Sequence, residues 1–82
     1  MTKRIIRLTM MTDDVKRFAG IVGKYPYEID LHSGRYVVDA KSLLGIFSLD
    51  LSKTIEMLVY SDDCSDLLSE IKPYIVKEEE DA

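Results

Sequence analysis

The 82-residue chain is 46% hydrophobic and 32% charged, the composition of one soluble domain with a single core of modest size. Of its 15 acidic residues four lie in Glu78–Asp81, leaving 11 to face 11 basic residues over positions 1–77. That balance excludes a nucleic-acid binder built on phosphate neutralisation, although Lys3, Arg4, Arg7, Lys16, Arg17 and Lys24 remain as local cations. One cysteine, Cys64, and one histidine, His32, exclude an internal disulfide and a zinc site of the usual ligands, so no metal or cofactor is expected. The early apolar run is broken by Arg4, Arg7, Asp13 and Asp14, which excludes it as a membrane span or signal peptide and makes a cytoplasmic protein the expectation.

Arg4 to Thr9 reads as a first strand, with Ile6 and Leu8 on one face and Ile5 on the other. Thr12 or Asp13 is expected to cap a helix whose apolar positions Val15, Phe18, Ala19 and Val22 keep helical spacing, with Gly23 at a left-handed C-cap. Tyr27, Ile29 and Leu31 alternate with Glu28, Asp30 and His32 in a second strand, and Ser33-Gly34 turns the chain into a third over Arg35 to Ala40. Ser42 stands at an N-cap before the apolar run Leu43, Leu44, Ile46, Phe47; four apolar residues in five positions exceed one buried stripe, so part of the run should be exposed. Ile46 and Leu49 are expected inward, with Leu43, Leu44 and Phe47 at least partly outward. Thr54 to Tyr60 gives a fourth strand, and a last helix starts near Asp62 or Asp63, uses Leu67, Leu68, Ile71 and Ile75, and kinks or ends at Pro73. Residues 1–77 thus read as a single domain and residues 78–82 as an acidic, disordered tail.

The resulting order β-α-β-β-α-β-α is an α+β pattern with an antiparallel sheet packed on helices. Within it, Ala40-Lys41-Ser42-Leu43-Leu44-Gly45-Ile46-Phe47-Ser48-Leu49 resembles the regulatory-serine segment of HPr, the phosphocarrier of the bacterial sugar phosphotransferase system, in its Gram-positive form. The match runs ungapped back to Phe18 and more loosely forward to about Ile75. For fold, the resemblance implies an open-faced β-sandwich, a four-stranded antiparallel sheet in the order 1-4-2-3 with three helices on one face. Ferredoxin-like domains share the element order, so a small-molecule-binding regulatory domain of that build is the alternative. An RNA-binding sheet domain is disfavoured by the neutral charge and the lack of an aromatic RNP-type run.

The same resemblance separates what is kept from what is lost. HPr carries its phosphoryl group on a histidine at the start of the first helix, within a Gly-x-His-x-Arg-Pro-like motif. Here Met11 takes the histidine's place, Asp13 the arginine's and Asp14 the proline's, which leaves no nitrogen nucleophile and two carboxylates that repel phosphate. His32 lies on the polar phase of a strand, with no acid or serine partner to make it a nucleophile, and Cys64 reads as a small first-turn residue. Ser42 corresponds to the serine that an ATP-dependent kinase phosphorylates in sugar repression, while Lys41, Leu43, Leu44 and Phe47 match the surface HPr presents to partners. Where HPr ends this run in glycine the chain has Asp50. The resemblance therefore implies an adaptor and not an enzyme, similar to the catabolite-repression HPr homologue that also lacks the histidine. Its partners would be proteins, a serine kinase and a transcriptional regulator among them, with no nucleic acid and no membrane.

Overall fold

A computed structural model describes residues 3–80. Strands β1 (Lys3–Leu8), β2 (Glu28–Ser33), β3 (Tyr36–Asp39), β4 (Ile55–Tyr60) and β5 (Ile75–Glu80) alternate with helices α1 (Val15–Val22), α2 (Leu43–Phe47) and α3 (Ser65–Glu70). All pairings are antiparallel, in the order β3-β2-β4-β1-β5. The first four strands follow the expected 1-4-2-3 order. The sheet has five strands, however, not four.

The extra strand arises where a helix end and a tail were expected. α3 stops at Glu70, before Pro73, and a single 3-10 turn over Lys72–Tyr74 reverses the chain, so Ile75 opens a strand instead of extending the helix. The Thr9 N–H donates to the Tyr74 carbonyl at 2.9 Å, which pins the start of β5 beside β1. A bulge between Arg7 and Leu8 then sets the register in which Arg4, Ile5 and Ile6 face Glu80, Glu79 and Glu78. The backbone of Glu78–Glu80, expected in the disordered tail, is thus part of an edge strand; residues 81–82 lie outside the described residues.

The strand alternation sends Ile6, Leu8, Ile29, Leu31, Ile55, Met57 and Val59 to one face, where they meet Val15, Phe18 and Val22 of α1, Ile46 of α2 and Leu67 of α3 in one cluster. Phe18 is fully buried and meets Tyr74 edge to face, with centroids 5.8 Å apart and planes at 84°. Among the described residues no polar or charged residue is buried, so the core between sheet and helices is apolar. Cys64 is fully buried at the α3 N-cap position, one residue before the first turn where it was expected.

Two helix ends differ from expectation. Gly23 follows α1 with φ −64°, so this exit is right-handed and not the left-handed cap that was expected. The one positive φ among the described residues is Gly34 at +60°, first of the two loop residues between β2 and β3, the glycine position of a type II′ hairpin. At the other end of α1, a 3-10 turn over Thr12–Asp14 leads in, and neither Thr12 nor Asp13 caps it. Met11 occupies the cap position, and Asp14 reaches back to accept the Met11 N–H through Oδ2 at 2.9 Å.

Candidate functional site

The Ser42 segment takes its shape from short-range hydrogen bonds. Ser42 is extended, and its Oγ accepts the Gly45 N–H at 3.1 Å, the N-cap bond that the sequence implies. Asp39 prepares the entry, its Oδ1 accepting the Lys41 N–H at 2.8 Å. Gly45 lets the helix lie close on the sheet: a Cβ there would stand 3.1 Å from Cβ of Val38 and 3.2 Å from Ser42 Oγ. At the exit Ser48 keeps right-handed geometry and returns its hydroxyl to the Gly45 carbonyl at 2.6 Å. Asp50 accepts both the N–H (3.1 Å) and the hydroxyl (2.6 Å) of Ser52, which holds its carboxyl below the usual range. No left-handed residue is used at this exit, so Asp50 sits there without backbone strain.

The helix divides its apolar residues as expected. Ile46 and Leu49 are buried, whereas Leu44 is 83% exposed, Phe47 45% and Leu43 39%. These three large side chains form an outward-facing surface beside the exposed Ser42. Lys41 does not project toward that hydroxyl; its ammonium donates to the Tyr25 carbonyl at 2.6 Å and ties α2 to the loop after α1. Replacing Ser42 with alanine is expected to cost about 0.5–2 kcal/mol in urea unfolding, and with aspartate close to nothing, because aspartate is an equal cap and suits the helix dipole.

Met11, which the resemblance alone sets against a phosphocarrier histidine, is 75% exposed. It lines a cavity of about 500 Å³ together with Asp14, Arg17, Leu51, Pro73 and Tyr74. Asp13 is exposed and Asp14 half-buried, and the bond from Met11 N–H to Asp14 means that a protein carboxylate already occupies a donor at this helix start. A thioether and two carboxylates offer no nitrogen to carry a phosphoryl group, and the carboxylates oppose its charge.

A cluster not anticipated from sequence locks the α1–β2 loop to α3. Tyr25 and Tyr27 stack at 5.8 Å; Tyr25 OH donates to Glu70 Oε1, Tyr27 OH to Asp66 Oδ1 at 2.9 Å, and Lys24 Nζ to Glu70 Oε2 at 2.9 Å. The bond to Glu70 pushes the Tyr25 phenol up to about 12, while Tyr25 and then Lys24 hold the Glu70 carboxyl below its ordinary 4.5. The lowered carboxyl adds stability above 4.5 that fades as pH falls, and the raised phenol adds stability below 10.0 that fades as pH rises toward 12. The melting-temperature gap between wild type and Tyr25→Phe should therefore be widest between about pH 5 and 9 and narrow on both sides.

His32, half-buried on β2, is set by the strand register beside Glu56 of β4, away from both Ser42 and Met11. No helix of the described residues is long and apolar enough to cross a membrane. No protein-family model and no curated protein sequence matches the chain. Among solved structures, the crystal structure of HPr-C-His from Thermoanaerobacter tengcongensis matches with a TM-score of 0.69, covering 89% of this chain and 89% of that one at 22% identity. At that identity the likeness speaks for architecture alone, and it agrees with the strand order and the helix layer described above: the chain has an HPr-like fold.

Proposed function

We propose that this chain is an HPr-like protein without phosphocarrier chemistry, a non-catalytic adaptor that binds other proteins through α2 and its capping Ser42. The observation that carries this reading is the exposure of Leu43, Leu44 and Phe47 on a helix whose Ile46 and Leu49 are buried. Burying large apolar side chains is the main source of affinity at a protein interface, and leaving three of them in water has no role in the fold. Met11, Asp13 and Asp14 support the loss of histidine-borne phosphoryl transfer, because none offers a nitrogen acceptor and two repel the group.

In this reading Ser42 is the regulatory position. Phosphorylation would add close to two negative charges beside Leu43 and Leu44, at the positive end of α2, and so change what the surface accepts without unfolding the helix. The setting is the cytoplasm, and the partners are a serine kinase and a transcriptional regulator of carbon catabolite control or the sugar phosphotransferase system. To test it, wild type, Ser42→Asp, Leu44→Ala and Phe47→Ala serve as bait in lysate of the source cells. A partner that is lost in both apolar variants and gained or lost with Ser42→Asp supports the reading. Identical captures on all four baits place the interaction elsewhere.

A further inference from the structure

The sheet face turned away from the helices carries a second constellation. The register of β2, β4 and β1 sets His32 opposite Glu56 and Glu56 opposite Arg7, one cross-strand row over three neighbouring strands. Arg7 Nη2 donates to Glu56 Oε2 at 3.4 Å, a long ion pair with both side chains partly in solvent. The row lies in a depression of about 470 Å³ completed by Gly34, Thr54 and Val76. His32 Nε2 is shut off from solvent and has no hydrogen-bond partner among the described residues.

An adjacent cation and anion in one depression match a ligand with the reverse arrangement. A doubly charged anion placed over Arg7 would also meet Glu56, and a simple cation over Glu56 would meet Arg7; a zwitterion satisfies both. Its carboxylate suits the planar guanidinium, and its ammonium suits the glutamate. The unsatisfied imidazole nitrogen adds a further demand. A buried polar atom without a partner costs free energy, which is recovered when the ring turns about its Cβ–Cγ bond to meet a ligand's hydroxyl or amide.

We propose that this row is a binding site for a free polar α-amino acid, with Arg7 holding the carboxylate, Glu56 the ammonium, and His32 and Thr54 the polar side chain. The site lies on the face opposite α2, so it stands or falls independently of the adaptor reading.

His32 is the chain's one histidine, so its imidazole C–H resonance is a single, assignable reporter. The full chain would be titrated with L-serine, L-glutamine and L-glutamate, with L-alanine as the side-chain control and with serinamide and N-acetylserine as forms lacking one charge. At least one of the three polar amino acids is expected to give a saturable His32 shift. Alanine should bind more weakly, and removal of either charge, or Arg7→Gln or Glu56→Gln, should weaken binding about tenfold or more. Thr54→Val, a change at an exposed position, should weaken the polar amino acids and leave alanine unchanged, and it serves if the row variants do not fold. No saturable shift with any of the three, equal binding of the singly charged forms, or affinities indifferent to Glu56→Gln and Thr54→Val would overturn the proposal.

Discussion

Phe18→Ala is expected to remove about 3–5 kcal/mol of stability, because a fully buried ring is lost together with its edge contact to Tyr74 and the surrounding helices cannot close the cavity. A domain of this size holds only about 4–12 kcal/mol in total, so the variant should be near or past the point of unfolding at room temperature. The site magnifies the effect. Phe18 comes from α1 and Tyr74 from the turn that launches β5, so one ring secures both the helix layer and the added edge strand. Urea unfolding followed by circular dichroism reads it as a large drop in midpoint, and a loss below about 1 kcal/mol would mean that this contact is not part of the core.

The second large effect is a transfer that should not occur. Incubated with phosphoenolpyruvate and the general phosphotransferase enzyme, the chain is expected to take up no acid-labile phosphoryl group. Met11 has no nitrogen to accept it. A phosphate near Asp13 or Asp14 would meet like charge worth on the order of 1–4 kcal/mol at 4 Å in a surface environment. Asp14 also occupies the Met11 N–H that would otherwise face the anion. Met11→His alone should therefore remain a poor acceptor, since the two carboxylates stay. Acid-labile label on wild type, at His32 or elsewhere, would contradict this.

Side chains that alternate or repeat made most of the fold legible. Ile6 with Leu8, Ile29 with Leu31, and Ile55 with Met57 and Val59 announced three strands, and Val15, Phe18 and Val22 announced α1, because burial leaves a period in the sequence. Ser42 was readable as a cap for the same kind of local reason, and the split between Ile46 and Leu44 followed from how much apolar surface five residues can hide. β5 was not legible. Val76-Lys77-Glu78-Glu79-Glu80 has the composition of a solvated tail, and what makes it a strand is backbone pairing with β1, which carries no side-chain signature. The start of α1 failed similarly, since the bond from Met11 N–H to Asp14 reverses the expected roles of cap and first-turn acid. The row His32, Glu56, Arg7 and the clamp of Tyr25, Tyr27, Asp66 and Glu70 join residues far apart in sequence, and only strand register and helix docking bring them together.

In the proposed function α2 is an interaction surface and not merely a covered edge of the core. Leu44 decides it, because at 83% exposure its replacement by aspartate should shift stability by no more than about 0.5 kcal/mol while placing a charge at the centre of the apolar surface. The most direct measurement is the calorimetric affinity of the captured partner for wild type and for Leu44→Asp. A dissociation constant weakened about 30-fold or more is expected, the mark of a central contact worth at least about 2 kcal/mol, with the unfolding midpoint unchanged. An affinity equal to wild type in a folded Leu44→Asp protein would contradict it.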